Sequence, residues 1–181
     1  MKVLIDACVL YPTLLRDLVL STASTGVFKP LWSERILEEW QRAAARKSKE
    51  DGKIAAFEIS AAKALFPDAS VAVSQDTQAQ LALPDRDDVH VLAAAIDGGA
   101  SELLTLNIKD FPLRALGAYG ITRRHPDDFL LEAFHADQTG MRTVVNSVLD
   151  RAHAHGIDVS NPRAILKRAK VPRLAKALTQ V

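Results

Sequence analysis

Asp6 interrupts the short apolar run "LIDACVL" (residues 4–10), in which Leu4, Ile5, Val9 and Leu10 suit a strand buried on both faces. An unpaired charge is costly in such a place, so Asp6 calls for partners elsewhere in the chain. The candidates are Glu39 in "WSERILEEW", Asp88 in "PDRDDVHVLAAAIDGG", and Asp110, with Asn107, in "LTLNIKDFP". Four carboxylates converging on one point repel each other. Two unit charges about 4 Å apart at an effective dielectric of about 20 cost roughly 4 kcal/mol, or about three pKa units on one member. Such a cluster needs protonation or a cation, and hard oxygen ligands at an aqueous cleft suit Mg²⁺ or Mn²⁺. A cation of this kind can deprotonate water and neutralise the charge that develops on a phosphodiester. Each acid has a plainer reading beside this one. Asp88 is also placed as a helix cap, Asp110 as a turn residue, and Glu39 as a solvent-facing acid next to Glu38. Spacing alone leaves both readings open.

The elements that must position these acids follow from periodicity. "YPTLLRDLVLSTASTG" predicts a helix with Pro12 early, an apolar stripe of Leu14, Leu15, Leu18 and Val19, and a stop at Gly26. "KPLWSERILEEWQRAAARKSKED" predicts a second helix with Ser33 as N-cap and Ile36, Leu37 and Trp40 at helical spacing. A third spans "GKIAAFEISAAKALF" and ends before Pro67, and "SVAVS" reads as a strand. Pro84 and Asp85 end a loop, a helix runs from about Asp88 to Asp97, and Gly98–Gly99 closes it. "ELLTL" is a short apolar strand that leaves through "NIKDFP". Strands alternating with helices predict an α/β fold, a parallel sheet covered on both faces. In such a sheet ligands bind beyond the carboxyl ends of the strands, where Asp6, Asn107 and Asp110 lie. From "HPDDFLLEAF" onward the pattern is all-helical, three or four helices punctuated by Pro162 and Pro172.

With 181 residues, 48% apolar and 25% charged, the chain is the size of one soluble domain with a small appendage. Its single cysteine, Cys8, excludes an internal disulfide and favours the reducing cytoplasm. No apolar stretch approaches membrane-spanning length and no signal peptide is read. The net charge of +1 conceals an asymmetry. From Arg151 onward seven Lys/Arg face one acid, Asp158, leaving 16 basic and 21 acidic residues in 1–150. The basic tail suits a phosphate backbone or an acidic partner, and equally a solvated helix surface. In it, Arg163, Lys167, Lys170 and Arg173 share one face if the helix survives Pro172 or two short helices pack in line, with Ile165, Leu166, Ala169 and Leu174 turned inward. Lys167, Arg168 and Lys170 are the candidate phosphate-backbone contacts there.

Together "VLIDACVL", "WSERILEEW" and "PDRDDVHVLAAAIDGGASELLTLNIKDFP" resemble a PIN domain, a family of metal-dependent nucleases that includes the VapC-type toxins of toxin–antitoxin pairs. The third segment is the most specific, joining an acid at a helix start, "LAAA", "GGA" and "LTLNxKDF" in order. The resemblance covers about residues 1–126, and the tail, 127–181, resembles the helical extension of one VapC-like subgroup. It implies a three-layer fold around a mostly parallel sheet. The family's acids fall on Asp6, Glu39 (with Glu38 the lesser choice), Asp88 and Asp110, around one or two Mg²⁺ or Mn²⁺ ions. Thr105 matches the family's strand-end threonine, and Asn107 stands where many members have a further aspartate. The implied activity is endoribonucleolytic, leaving a 5′-phosphate, with RNA as substrate, a cognate antitoxin as partner, room for a homodimer and no membrane. Cys8 departs from the family's usual Asn, Ser or Thr, so the hydrogen bond it would make to the first acid is expected to be weak or missing. Asn107 removes a charge.

An aspartyl-nucleophile phosphatase is disfavoured because it needs a second Asp where Cys8 stands. A degenerate PIN fold that only binds RNA or a partner protein is the rival outside catalysis. His90 reads as a packing or surface residue, and His125, His135, His153 and His155 are scattered without metal-ligand spacing. Arg16, on the first helix, is placed either facing the cleft to meet phosphate or in an ion pair. Cys8 reads as a small packing residue, not a reactive thiol.

Overall fold

Val3, Leu4 and Ile5 are wholly buried, and the strand they form, β1 (Lys2–Ile5), is the middle of a five-stranded parallel sheet. The structure, a computed structural model, describes residues 1–179. Next in the chain come α1 (Ala7–Leu10), α2 (Thr13–Ser24), β2 (Lys29–Ser33), α3 (Glu34–Lys47), α4 (Lys49–Leu65), β3 (Ser70–Val71) and α5 (Gln75–Ala79). A 3₁₀ turn (Arg86–Asp88) leads into α6 (Val89–Asp97), followed by β4 (Glu102–Leu104), α7 (Leu113–Gly117) and β5 (Thr122–Arg124). The helices α8 (Pro126–Ala136), α9 (Gln138–Ala154), α10 (Pro162–Arg168) and α11 (Pro172–Ala177) complete the described chain. Among the described residues no helix is long and apolar enough to cross a membrane.

The strand order is β3-β2-β1-β4-β5 and every pairing is parallel. The chain builds outward from β1 on one side and then on the other, so the order reverses where β1 meets β4. This is the α/β architecture that the alternating pattern predicts. Contacts divide it into two compact units, one of Met1–Tyr11 with Lys29–Arg124, the other of Pro12–Phe28 with the chain from His125. The division differs from a single break near 126, because α2 sorts with the later helices. In the first unit α6 packs on β1, β2 and β4 through buried Val91, Leu92 and Ala93–Ala95. Ser33 caps α3 by accepting the Ile36 N–H at 3.3 Å, and Ile36, Leu37, Trp40 and Ala44 form its buried face.

Several expectations change. The run 4–10 is not one strand. It ends at Ile5, and Asp6, extended in backbone, becomes the N-cap of α1 by accepting the Cys8 N–H. Strand β2 was hidden by Pro30, which usually argues against an interior strand. Lys29 N–H donates to Met1 O and Trp32 N–H to Ala69 O, so alternate residues face alternate neighbours. Pro30 thus turns its donorless nitrogen toward β3, short of where β3 begins pairing at Trp32. "SVAVS" yields only two strand residues, and β5, "TRR", is a polar edge that carries no apolar signal. Helix α4 starts before Gly52, at a Ser48 cap, because Gly52 lets it approach Ala45 of α3 closely.

In the second unit α2 packs on α8 and α9 through buried Leu15, Leu18 and Val19. The tail does not remain one helix. Lys170 takes φ 66 and ends α10, with Lys170 N–H donating to Lys167 O and Val171 N–H to Leu166 O, the Schellman arrangement with lysine in the usual glycine place. Asp127, buried, starts α11 by accepting the Arg173 and Leu174 N–H groups at 2.9 and 3.0 Å. Ile165, Leu166, Ala169 and Leu174 are buried, and Arg163, Lys167, Arg168 and Lys170 are exposed.

The two glycines after α6 have separate reasons. Gly99 adopts φ +64, whereas Gly98 is ordinary in backbone but tightly enclosed. A Cβ on Gly98 would meet Leu31 Cδ1 and Val71 Cγ2 at 2.9 Å and Ala94 O at 3.0 Å. Gly98→Ala gains about 0.4–1 kcal/mol from the unfolded chain but loses about 1–3 kcal/mol to overpacking. The variant is expected to unfold at a lower denaturant midpoint than the wild type, and an unchanged or raised midpoint would contradict this packing account.

Candidate active site

Register brings the first acid to its partners. Parallel pairing sets Ile5 opposite Leu104, and Asp6 N–H donates to Leu104 O at 3.0 Å, so Asp6 and Thr105 leave neighbouring strand ends together. Thr105 Oγ1 donates to Asp6 Oδ2 at 2.6 Å and accepts the Asn107 N–H at 3.0 Å. The Cys8 thiol donates to the same Oδ2 at 3.1 Å and accepts the Leu106 N–H at 3.2 Å. The hydrogen bond expected to be weak or missing is therefore present, made by a thiol, a weaker donor than a hydroxyl. Burial, then the negative charge of Asp6, pushes Cys8 up to about 12. The sulfur therefore stays protonated and able to donate. These bonds load Oδ2 of a nearly fully buried carboxylate, while Oδ1 accepts only the long 3.4 Å bond from Cys8 N–H.

Asp88 lies at the end of the 3₁₀ turn, and its side chain makes no capping hydrogen bond. The capping there is done by Asp85, which accepts the Asp87 N–H at 2.8 Å. That leaves the Asp88 carboxylate uncommitted by the fold. Burial first, then the charges of Asp6, Asp85, Asp110 and Glu39, raise it to about 7. All four sequence-selected acids thus fall within one electrostatic neighbourhood, and Asp85, read from sequence as a loop end, joins them as a further charge.

Glu39 is distinguished from Glu38 by what each touches. Glu38 is exposed and pairs with Arg42 along its own helix. Glu39 Oε1 lies 2.8 Å from His90 Nε2 and 3.4 Å from Arg35 Nε. Burial, and secondarily the Arg35 cation, lowers His90 to about 4, so the ring is neutral and Nε2–H is the donor. The buried Nδ1 has no hydrogen-bond partner, which identifies it as the bare lone pair of that tautomer. Burial raises the Glu39 carboxyl, Arg35 opposes this and Asp6 adds to it. His90 was read from sequence as packing. It is buried, and it also orients an acid that stands 51 residues earlier in the chain. Its one sequence signal was a polar residue on the otherwise apolar "VHVLAAAI".

Asp110 is held in the turn after β4, its N–H donating to Asn107 O at 3.1 Å, while Asn107 joins the network through its backbone. Arg16 belongs to the second unit, where it is buried with Nε 3.6 Å from Asp17 Oδ1, an ion-pair setting. Lys167, Arg168 and Lys170 belong to that unit too, on its surface.

Residues 2–109 match the family model described as the PIN domain. The chain belongs to the PIN domain family. Over 63 residues it is 41% identical to a putative ribonuclease, VapC50, of Mycobacterium tuberculosis (strain ATCC 25618 / H37Rv). That alignment covers 35% of this chain and 37% of the relative, so the chain spans little more than a third of the curated relative it matches. No solved structure matches. The PIN match contains Asp6, Glu39 and Asp88 and stops one residue before Asp110, which joins them through geometry.

The acids of this PIN domain suit a hard divalent cation in charge and donor type. Among the described residues no three His, Cys, Asp or Glu side chains stand close enough to hold an ion as they are. The fit is one of crowded negative charge, not of a preformed cage.

The raised Asp88 pKa has a sign that can be tested without metal. The folded chain keeps this proton to about pH 7, and the unfolded chain releases it near 3.8. The associated stability is complete below the lower value and is lost as pH rises through the upper one. In chelator-treated protein the melting temperature is expected to fall between about pH 4 and pH 7, and Asp88→Asn should flatten that fall. An identical pH dependence in the variant would refute the charge crowding.

Proposed function

We propose that this PIN domain chain is a divalent-metal-dependent endoribonuclease of the VapC type, the toxin of a cytoplasmic toxin–antitoxin pair. The observation that carries the reading is the uncommitted Asp88 carboxylate, destabilised as an anion by burial first and then by the charges of Asp6, Asp85, Asp110 and Glu39. A fold that needed these acids only as caps and turn residues would not leave Asp88 without a hydrogen-bond partner beside four like charges.

Asp6, Asp88, Asp110 and Glu39 would hold Mg²⁺ or Mn²⁺, which when bound supplies charge for the phosphodiester and acidity for a water. Thr105 and Cys8 hold Asp6 through one oxygen and leave the other for a ligand. His90 and Arg35 do the same for Glu39 at Oε1. A bound cation would remove the reason for Asp88 to retain its proton, so uptake would release that proton near neutral pH. Hydrolysis that leaves a 5′-phosphate breaks the P–O3′ bond, with the water oxygen on the phosphate and a water proton on O3′. Asn107, exposed past the strand end, is the residue placed to meet the RNA backbone beside the acids, whereas Thr105, fully buried with its hydroxyl committed to Asp6 and the Asn107 N–H, acts only through them.

Asp6→Asn and Asp88→Asn are each expected to lower cleavage of single-stranded RNA at least about 100-fold, since each removes a hard ligand. Chelator should abolish wild-type cleavage and Mn²⁺ restore it. Wild-type rates in either purified, folded variant would refute the assignment and favour a PIN module that binds without cutting.

An acidic site repels RNA at a distance, so affinity requires positive surface elsewhere. Lys167, Arg168 and Lys170 are exposed, and together with Arg163 they make the tail's basic surface. Changing the three to Ala should weaken RNA binding and flatten its salt dependence, because fewer counterions are released. The ion-induced rise in melting temperature should stay the same. An unaltered salt slope would assign this surface to the antitoxin instead.

A further inference from the structure

Asp110 is the acid with the least local support. It sits in a turn, beyond the residues that match the family, and the turn has one backbone hydrogen bond of its own, Asp110 N–H to Asn107 O. The Arg123 guanidinium supplies what the turn lacks. Its Nη1 donates to Ile108 O at 2.6 Å and to Phe111 O at 2.7 Å, carbonyls on either side of Asp110. Both bonds are charge-assisted and short. Phe111 is fully buried and anchors the far end of the turn, while Thr105 Oγ1 holds the near end through Asn107 N–H. Arg123 is itself fixed by its place in β5, directly opposite Leu103 of β4. We propose that Arg123 is a positioning residue for Asp110, clamping the 107–111 turn so that this carboxylate stands with Asp6 and Asp88. The inference rests on reading the acids as a cation site, and it lies outside the span that the family match covers.

The physical reason is tolerance. A divalent ion requires its oxygen donors within a few tenths of an ångström, and a turn with two unsatisfied carbonyls samples a wider range than that. A guanidinium reaches two carbonyls from one nitrogen in a fixed plane, whereas an ammonium on a shorter stem keeps the charge and loses the plane.

The test is a Mn²⁺ titration by calorimetry of the full chain, using wild type, Arg123→Gln, Arg123→Lys, Asp110→Asn and the Arg123→Gln/Asp110→Asn double variant. Arg114→Gln, an exposed arginine on α7, serves as the control that leaves binding unchanged. Arg123→Gln should weaken Mn²⁺ binding about tenfold, the usual scale for partners that orient a ligand, and Arg123→Lys should fall between. In the Asp110→Asn background the same change should cost less than about twofold, because the residue acts through Asp110. Without metal, amide exchange at 107–111 should quicken in Arg123→Gln while β1 and β4 stay protected. Wild-type affinity in Arg123→Gln, or an equal loss in both backgrounds, overturns the proposal. If the wild type takes up no Mn²⁺, the cation reading fails by itself. Exchange then decides the clamp, and unchanged protection at 107–111 overturns it.

Discussion

The pairing of β1 with β4 decides the rest of the structure. With Ile5 opposite Leu104, the two strands end level, and Asp6 emerges beside Thr105. A shift of one residue would turn Asp6 to the other face of the sheet and separate it from that hydroxyl. The Thr105 side chain, 99 residues after Asp6, then couples that acid to the turn that carries Asp110, donating to the first and accepting from the second. The apolar residues that set this register, Val3, Leu4, Ile5, Leu103 and Leu104, are all fully buried, so the core fixes the site's alignment. The reversal of strand order at the same boundary keeps the space beyond these strand ends open to a ligand.

Holding like charges near each other opposes folding, and the molecule limits that opposition by unequal treatment of the acids. Asp6 accepts hydrogen bonds from a hydroxyl and a thiol. Glu39 receives a neutral imidazole and a guanidinium. Asp88 receives nothing, and the repulsion accumulates there. Neutral His90 suits this division, because it donates a hydrogen bond without adding a cation that would relieve the crowding. The crowding is thus concentrated on one carboxylate, Asp88, raised to about 7.

What could be read from the residues was whatever depended on local pattern. The α6 segment with its two glycines and the Ser33 cap were legible because each depends on neighbours a few residues away. Glu39 over Glu38 rested on resemblance alone, and geometry now distinguishes them through His90. Strand β2 was missed because Pro30 is tolerated only where a neighbouring strand stops short, which is a tertiary fact. Strand β5 was missed because an edge strand of Thr-Arg-Arg has no apolar face to reveal it, and the Arg123 clamp was hidden with it. Cys8 was expected to weaken the hold on Asp6, since nothing in a sequence shows that a thiol sits at bonding distance.

Helix α2 shows why the carboxy-terminal helices are not an ornament on the PIN domain. It falls inside the span that matches the family, yet its buried face packs on α8 and α9, which lie outside that span. Thr22 Oγ1 reaches Met141 Sδ at 3.6 Å, Phe28 meets Phe129 edge-on at 5.0 Å, and Arg151 Nη2 donates to Ser21 Oγ at 2.9 Å. Leu15, Leu18 and Val19 are wholly buried, each contributing about 1.5–3 kcal/mol, against a total stability of about 5–15 kcal/mol for a domain. A chain without its later helices would present that apolar face to water. The helical unit therefore depends on a segment, α2, that the family match includes and on helices that it does not.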